Sequence, residues 1–296
     1  MEEPQAPCRS ALCYLRGTGV PMLETVLELP FNTAARFPER VSHRFLLKNT
    51  SESRTFAEFA RAIRELTAAL KEAGVGRGHH VGFFVNNRFE WSVTDYALQA
   101  LGAVSVPRGS DTAPKEQAFI FNHSDSSHLI LETSHQLWEL NELLAAQDWD
   151  KCRCIFIMDG SPEDDLPESL KDRVRFYSQL FEQGPSLVEA EPNLVEELRK
   201  DISRDDILTI VYTSGTTGNP KGVMLSHQNF LQNVTANTPR LKVNPEKNDT
   251  TVVMLPSWHV YERAFEFVCH YTGVTIVYSS AGRFAADLMQ IGRAHV

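Results

Sequence analysis

Apolar and polar positions change period repeatedly along this chain, and the changes divide it into alternating helices and strands. Phe56, Phe59, Ala60, Ile63, Leu66 and Leu70 recur at helical spacing, which predicts an amphipathic helix. Thr55-Phe56-Ala57-Glu58 opens it with a capping-box pattern, and Gly74 supplies a stop. The run 81–85 is short, apolar and bounded by a glycine-rich turn, as a buried strand should be. A second helix follows with Phe89, Val93, Tyr96, Ala97 and Leu101 on one side, and a strand over 103–106 completes a βαβ unit.

The rhythm continues. The pattern predicts helices over 23–29, 114–121, 136–145, 191–199 and 260–271, and strands over 128–131, 154–158, 207–212, 251–255 and 274–278. Leu137, Leu140, Leu143 and Leu144 are the expected inward positions of the 136–145 helix, and the acidic stretch 159–167 reads as a solvated loop. Strands alternating with helices predict an α/β fold of mostly parallel sheets with helices on both faces. Ligands in such folds bind beyond the carboxyl ends of strands.

Composition narrows the function classes. The 296 residues are 42% hydrophobic and 23% charged, an ordinary globular balance with enough apolar material for a sizeable core. A net charge of −9 argues against a nucleic-acid partner. Cys8, Cys13, Cys152, Cys154 and Cys269 are irregularly spaced and read as free thiols in a reducing compartment. The start, Met1-Glu2-Glu3-Pro4, is acidic, and no apolar run reaches membrane-spanning length. These features predict a cytoplasmic protein.

Candidate chemistry concentrates directly after the 207–212 strand. Thr213-Ser214-Gly215-Thr216-Thr217-Gly218-Asn219-Pro220-Lys221-Gly222 gathers glycines, hydroxyls and one lysine at a strand end. Such a loop offers backbone N–H groups, hydroxyl donors and a point charge, the chemistry of a polyphosphate cradle. A generic Ser/Thr/Gly run is usually a plain solvated loop, but the order of residues here argues against that reading. A Walker A loop needs Gly, four residues, then Gly-Lys-Ser/Thr. Here Lys221 lies between Pro220 and Gly222, so that pattern fails on spacing.

At these residues the chain resembles the adenylate-forming superfamily of acyl-CoA synthetases, luciferases and peptide-synthetase adenylation domains. Residues 222–230 are similar to that family's short strand and following helix, with Ser226 as the expected N-cap. Leu255-Pro256-Ser257-Trp258-His259-Val260-Tyr261-Glu262-Arg263 resembles the long-chain fatty acid–CoA ligase branch. A softer likeness to long-chain acyl-CoA and acyl-carrier-protein synthetases lies in residues 106–111 and 121–125, which include Arg108 and His123. Either of those two could equally be a surface residue.

The resemblance implies a two-step reaction. A fatty carboxylate attacks the α-phosphorus of ATP and expels pyrophosphate; coenzyme A then takes the acyl group and AMP leaves. It implies nucleotide contacts from Thr213, Ser214, Gly215, Thr216, Thr217, Gly218, Lys221 and Gly222, with Thr213 as a magnesium contact. Catalytic roles fall on Lys221 and His259, and acyl-side roles on Trp258, His259 and Tyr261. Glu262 and Arg263 are expected to be a structural pair or a helix-end contact. A fatty substrate partitions into membranes, so peripheral membrane contact stays open.

The family's downstream motifs, for adenine, ribose and the catalytic lysine of a small C-terminal domain, do not occur in this sequence. The expected organisation is an N-terminal extension over 1–21, a partial large domain over 22–290 and a non-native tail over 291–296. That tail reads like a translated sequencing adapter. Two rival functions remain: ligation to acyl carrier protein, and a non-catalytic nucleotide- or acyl-binding fragment.

Overall fold

Residues 23–46, 51–213, 220–241, 243 and 248–293 are described by a computed structural model. The elements in chain order are α1 (Glu28–Arg36), β1 (Val41–Leu46), β2 (Ser51–Thr55), α2 (Phe56–Glu72), β3 (His80–Phe84), α3 (Phe89–Ala100) and β4 (Val104–Arg108). They continue with α4 (Pro114–His123), β5 (His128–Thr133), α5 (Ser134–Leu143), α6 (Ala146–Trp149), β6 (Cys154–Asp159), β7 (Val174–Phe176), α7 (Tyr177–Ala190) and α8 (Leu194–Arg199). The last are β8 (Ile207–Thr213), β9 (Lys221–Ser226), α9 (His227–Asn237), β10 (Thr250–Val253), α10 (Val260–Thr272), β11 (Thr275–Tyr278) and α11 (Phe284–Arg293).

The strands form two sheets. The larger has the order β7-β6-β5-β3-β4-β8-β9, parallel except for antiparallel β9 at its edge. Its central strands are buried on both faces, which is why their sequences read as continuous apolar runs. Alternate residues serve opposite cores: Phe83, Ile130 and Phe156 face one side with α2 and α3, while Phe84, Leu129, Leu131, Ile155 and Ile157 face the other with α4 and α5. The smaller sheet has the order β10-β11-β1-β2, with β2 antiparallel to β1.

Much of the predicted pattern is present. Thr55 caps α2 as read, its side chain accepting from the Glu58 N–H at 3.1 Å while Glu58 accepts from the Thr55 N–H at 2.7 Å. β3, α3 and β4 form the expected parallel unit. Cys152, Cys154 and Cys269 are buried free thiols; Cys8 and Cys13 lie outside the described residues.

Several boundaries are corrected. The first helix does not span 23–29 but starts at Glu28. The Glu28 carboxylate accepts from the N–H groups of Glu24 and Thr25 (3.0 and 3.1 Å), closing a turn before the helix. Leu143 is not inward: it is 41% exposed, and Leu144 just beyond α5 is the buried residue. The helix expected over 191–199 begins at Leu194. α7, which carries Pro185 inside it, adds a helix that the sequence reading does not include. A side chain at Gly184 would meet the Glu65 Cβ at 2.8 Å, so the glycine permits close packing of α7 on α2. The polar strand β2 lacks any apolar alternation, and it too was unread.

Arg263 is not paired with Glu262. Its guanidinium is fully buried and pairs with Asp95 on α3, Nε donating to Oδ2 at 2.9 Å and Nη2 contacting Oδ1. Nη2 also donates to Ser105 Oγ on β4 (3.1 Å), and Gln99 Nε2 donates to Asp95 (2.9 Å). Trp91, Phe230 and Phe267 surround the guanidinium at 5.5–5.7 Å. The pair therefore ties α10 to α3 and to the centre of the larger sheet.

Removing one member strands a buried charge, at a cost of about 3–5 kcal/mol. Arg263→Ala should lower stability by that amount in urea unfolding. The double variant Asp95→Leu/Arg263→Met, which removes both charges at similar volume, should recover most of it.

Candidate functional site

The candidate site is built at the carboxyl end of β8. Antiparallel pairing with β9 sets Thr213 opposite Lys221 and Tyr212 opposite Gly222. The glycine- and hydroxyl-rich segment is thus a hairpin connection whose ends face each other, and Thr213, Lys221 and Gly222 are all exposed there. Ser214, Gly215, Thr216, Thr217 and Gly218 lie outside the described residues. Gly222 has a steric reason: a Cβ would stand 2.8 Å from Ile210 Cγ2 and 3.3 Å from the Tyr212 ring. A larger residue would push away the strand that begins with Lys221.

Tyr212 is held at both ends. Its carbonyl accepts from Arg108 Nη1 at 3.1 Å, and its hydroxyl is hydrogen-bonded to His123 Nδ1 at 2.7 Å. Burial pushes the phenol up to about 12, so it stays protonated near neutrality. Arg108 also donates to Glu116 on α4 (2.5 Å) and lies over the Trp258 ring at 4.8 Å. The softer likeness around Arg108 and His123 thus falls on residues that grip the strand leading into the hairpin.

The segment 255–259 joins β10 to α10 and brings Trp258 and His259 toward the same edge. Asn87, just beyond β3, clamps it: Nδ2 donates to the Leu255 carbonyl and Oδ1 accepts from the Ser257 N–H, both at 2.6 Å. His259 is the N-cap of α10, its Nδ1 accepting from the Tyr261 N–H at 3.3 Å. Glu262 follows in the first turn, its carboxyl pushed up to about 7 by burial.

A cavity of about 500 Å³ lies between α9 and α10, lined by Leu225 of β9, Phe230, Tyr261, Ala264, Phe265 and Val268 among others. Tyr261 lines this cavity and is 69% exposed. Trp258 and His259 are not among its lining residues; Trp258 instead faces Arg108. β9 connects the two features, starting at Lys221 and reaching the cavity at Leu225. Asn87 was missed in the sequence, although Asn86-Asn87-Arg88 after a buried strand is a polar cluster at the edge where ligands bind.

The family model described as AMP-binding enzyme matches residues 31–295. The chain belongs to the AMP-binding enzyme family. Among its curated relatives, the peroxisomal long chain acyl-CoA synthetase 6 of Arabidopsis thaliana is 34% identical over 242 residues, covering 80% of this chain and 32% of that protein. A chloroplastic long-chain-fatty-acid–acyl-carrier-protein ligase of the same plant is 30% identical over 237 residues, covering 79% and 32%. The chain therefore spans about a third of the length of these relatives. The inhibitor-bound N-terminal domain of FACL13 from Mycobacterium tuberculosis shares the fold, with a TM-score of 0.65 at 20% identity over 87% of this chain and 57% of that one.

One buried carboxyl in this member of the family underpins the Trp258 segment. Glu266 on α10 contacts Ser257 Oγ, accepts from the Tyr278 hydroxyl at 2.9 Å and accepts from Ser92 Oγ at 3.2 Å. Burial pushes it up to about 7, against the pull of Ser257 and Tyr278. The folded state therefore holds a proton that the unfolded chain, titrating near 4.5, has released. Stability from this group is present below about pH 4.5 and is lost as pH rises toward 7. Glu266→Gln should consequently gain on the wild type as pH rises from 5 to 8, by up to about 3 kcal/mol. Paired urea unfolding curves across that range measure the difference; a gap independent of pH would refute it.

Proposed function

We propose that this chain provides the nucleotide- and acyl-facing part of a ligase that activates a long-chain fatty acid with ATP. An acyl-adenylate forms first, and coenzyme A then takes the acyl group as a thioester. The observation that carries this reading is the arrangement along β9. Lys221 closes the hairpin opposite Thr213, and four residues later Leu225 lines the cavity, where apolar side chains are joined by Asn229, Asn233, Asn237 and Arg240. An anionic polyphosphate and an acyl chain would then meet at one strand.

In this reading Lys221 places a positive charge beside the transferring phosphates, where charge builds as pyrophosphate leaves. Hairpin N–H groups and hydroxyls would share that task. Magnesium, when bound, would spread the phosphate charge. No cluster of three His, Cys, Asp or Glu side chains suited to a metal occurs among the described residues. In this reading Thr213 would offer such an ion one hydroxyl. Tyr261 would border the acyl chain. His259 would act from the N-terminus of α10, its Nε2 being the ring nitrogen left for a ligand.

The acyl-carrier-protein ligase at 30% identity supports a second reading with a different thiol acceptor. Buried free thiols at Cys152, Cys154 and Cys269 support a reducing, cytoplasmic setting, with peripheral membrane contact left to the fatty substrate.

Carboxylate-dependent ATP–pyrophosphate exchange with a fatty acid chain-length series tests the proposal on the full-length protein. Exchange should be greatest with long chains, and Lys221→Ala or Thr217→Ala should lower it by about 10²–10³-fold while sparing thiol transfer from preformed acyl-adenylate. Unchanged pyrophosphate release by Lys221→Ala in a single turnover would sink the assignment.

A further inference from the structure

We propose that Arg108 is a positioning residue that couples the nucleotide hairpin to the Trp258 segment, so that filling one side alters affinity at the other. The inference rests on the reading above of the hairpin as the phosphate side, and on the acyl-side role that the family resemblance gives Trp258.

Arg108 is the last residue of β4, and its side chain is only 18% exposed. Its guanidinium makes three different contacts at once. Nη1 donates to the Tyr212 carbonyl, one residue before Thr213. Nη2 pairs with Glu116, which fixes the plane of the group from the α4 side. The guanidinium Cζ lies over the Trp258 indole, 4.8 Å from the ring centroid. Only arginine combines in-plane donors with a flat cationic face; lysine offers a point charge without either geometry.

Both ends of this link are themselves constrained. Tyr212 cannot slide along β8 freely, because His123 holds its hydroxyl. Trp258 is pressed against the turn after β4: a Cβ at Gly109 would lie 2.8 Å from its Nε1. Asn87 fixes the backbone on either side of Pro256. A nucleotide that displaces the hairpin base would displace the guanidinium with it, and so change the Arg108–Trp258 contact. Thermodynamic linkage makes the effect reciprocal: an acyl ligand that fixes Trp258 would change nucleotide affinity by the same factor and in the same direction.

The test uses full-length protein with α,β-methylene-ATP, which cannot be cleaved at the reacting bond, and hexadecanoate. Each affinity is measured alone and with the other ligand saturating. The wild type should show coupling of about fivefold or more, equal in both directions. In Arg108→Leu the ratio should fall to about one, while each ligand alone binds within about threefold of wild type. Arg108→Lys, which keeps the charge beside Glu116, should also lose most of the coupling, and it carries the test should the leucine variant not fold. Coupling that persists in both variants overturns the proposal, as does a wild type that binds both ligands independently. A variant that weakens one ligand with the ratio intact also overturns it, because that is local support alone. If the wild type binds neither ligand, the reading of the site fails first, and the coupling falls with it.

Discussion

The buried Asp95–Arg263 pair is the constraint on which the arrangement around the site depends. Two charges taken out of water are costly unless each is matched and hydrogen-bonded. Here the carboxylate receives Arg263 and Gln99, and the guanidinium also reaches Ser105. The match requires α3, β4 and α10 to hold one relative position, since a shift of either helix would leave an ion without its counter-charge. α10 begins at His259's cap, so the same requirement fixes where the Trp258 segment arrives. A nonpolar contact would tolerate sliding; this one does not.

Polar contacts of long sequence separation then bring the edge of the larger sheet and the turn before α10 together. Asn87 uses both atoms of its amide on backbone groups about 170 residues away. Glu266 gathers hydroxyls from α3, β11 and the turn itself. These side chains satisfy backbone and buried polar groups that would otherwise cost free energy. They hold the Trp258 segment against the edge of the larger sheet, where Trp258 also packs on the main apolar core.

The sequence made the strands of the larger sheet legible because they are buried on both faces and therefore unbroken in hydrophobicity. α2 was legible because its cap, its periodicity and its stop agree. What escaped was decided by tertiary contact. Gly184-Pro185 looks like a breaker until Glu65 of α2 is seen to occupy the space a side chain would need. β2 is a polar edge strand, and only its pairing with β1 makes it a strand. At the site, the apolar run 207–212 was legible as the strand that leads into the hairpin. The partnership of Arg263 with Asp95, across 168 residues, could not be read from its adjacent glutamate. Nor could the clamp by Asn87, which depends on a turn distant in sequence.

The position of β9 has a consequence for the local stability of this edge. β8 is paired on two sides, but β9 is the margin of its sheet, and its first four residues are exposed. Elements with few buried contacts open locally at a small fraction of the global unfolding free energy. Lys221 is thus carried on the side of the hairpin that can lift away, while Thr213 stays on the side that cannot. The two arms of the hairpin therefore differ in local stability, the edge arm opening at a lower free energy than the arm paired on both sides.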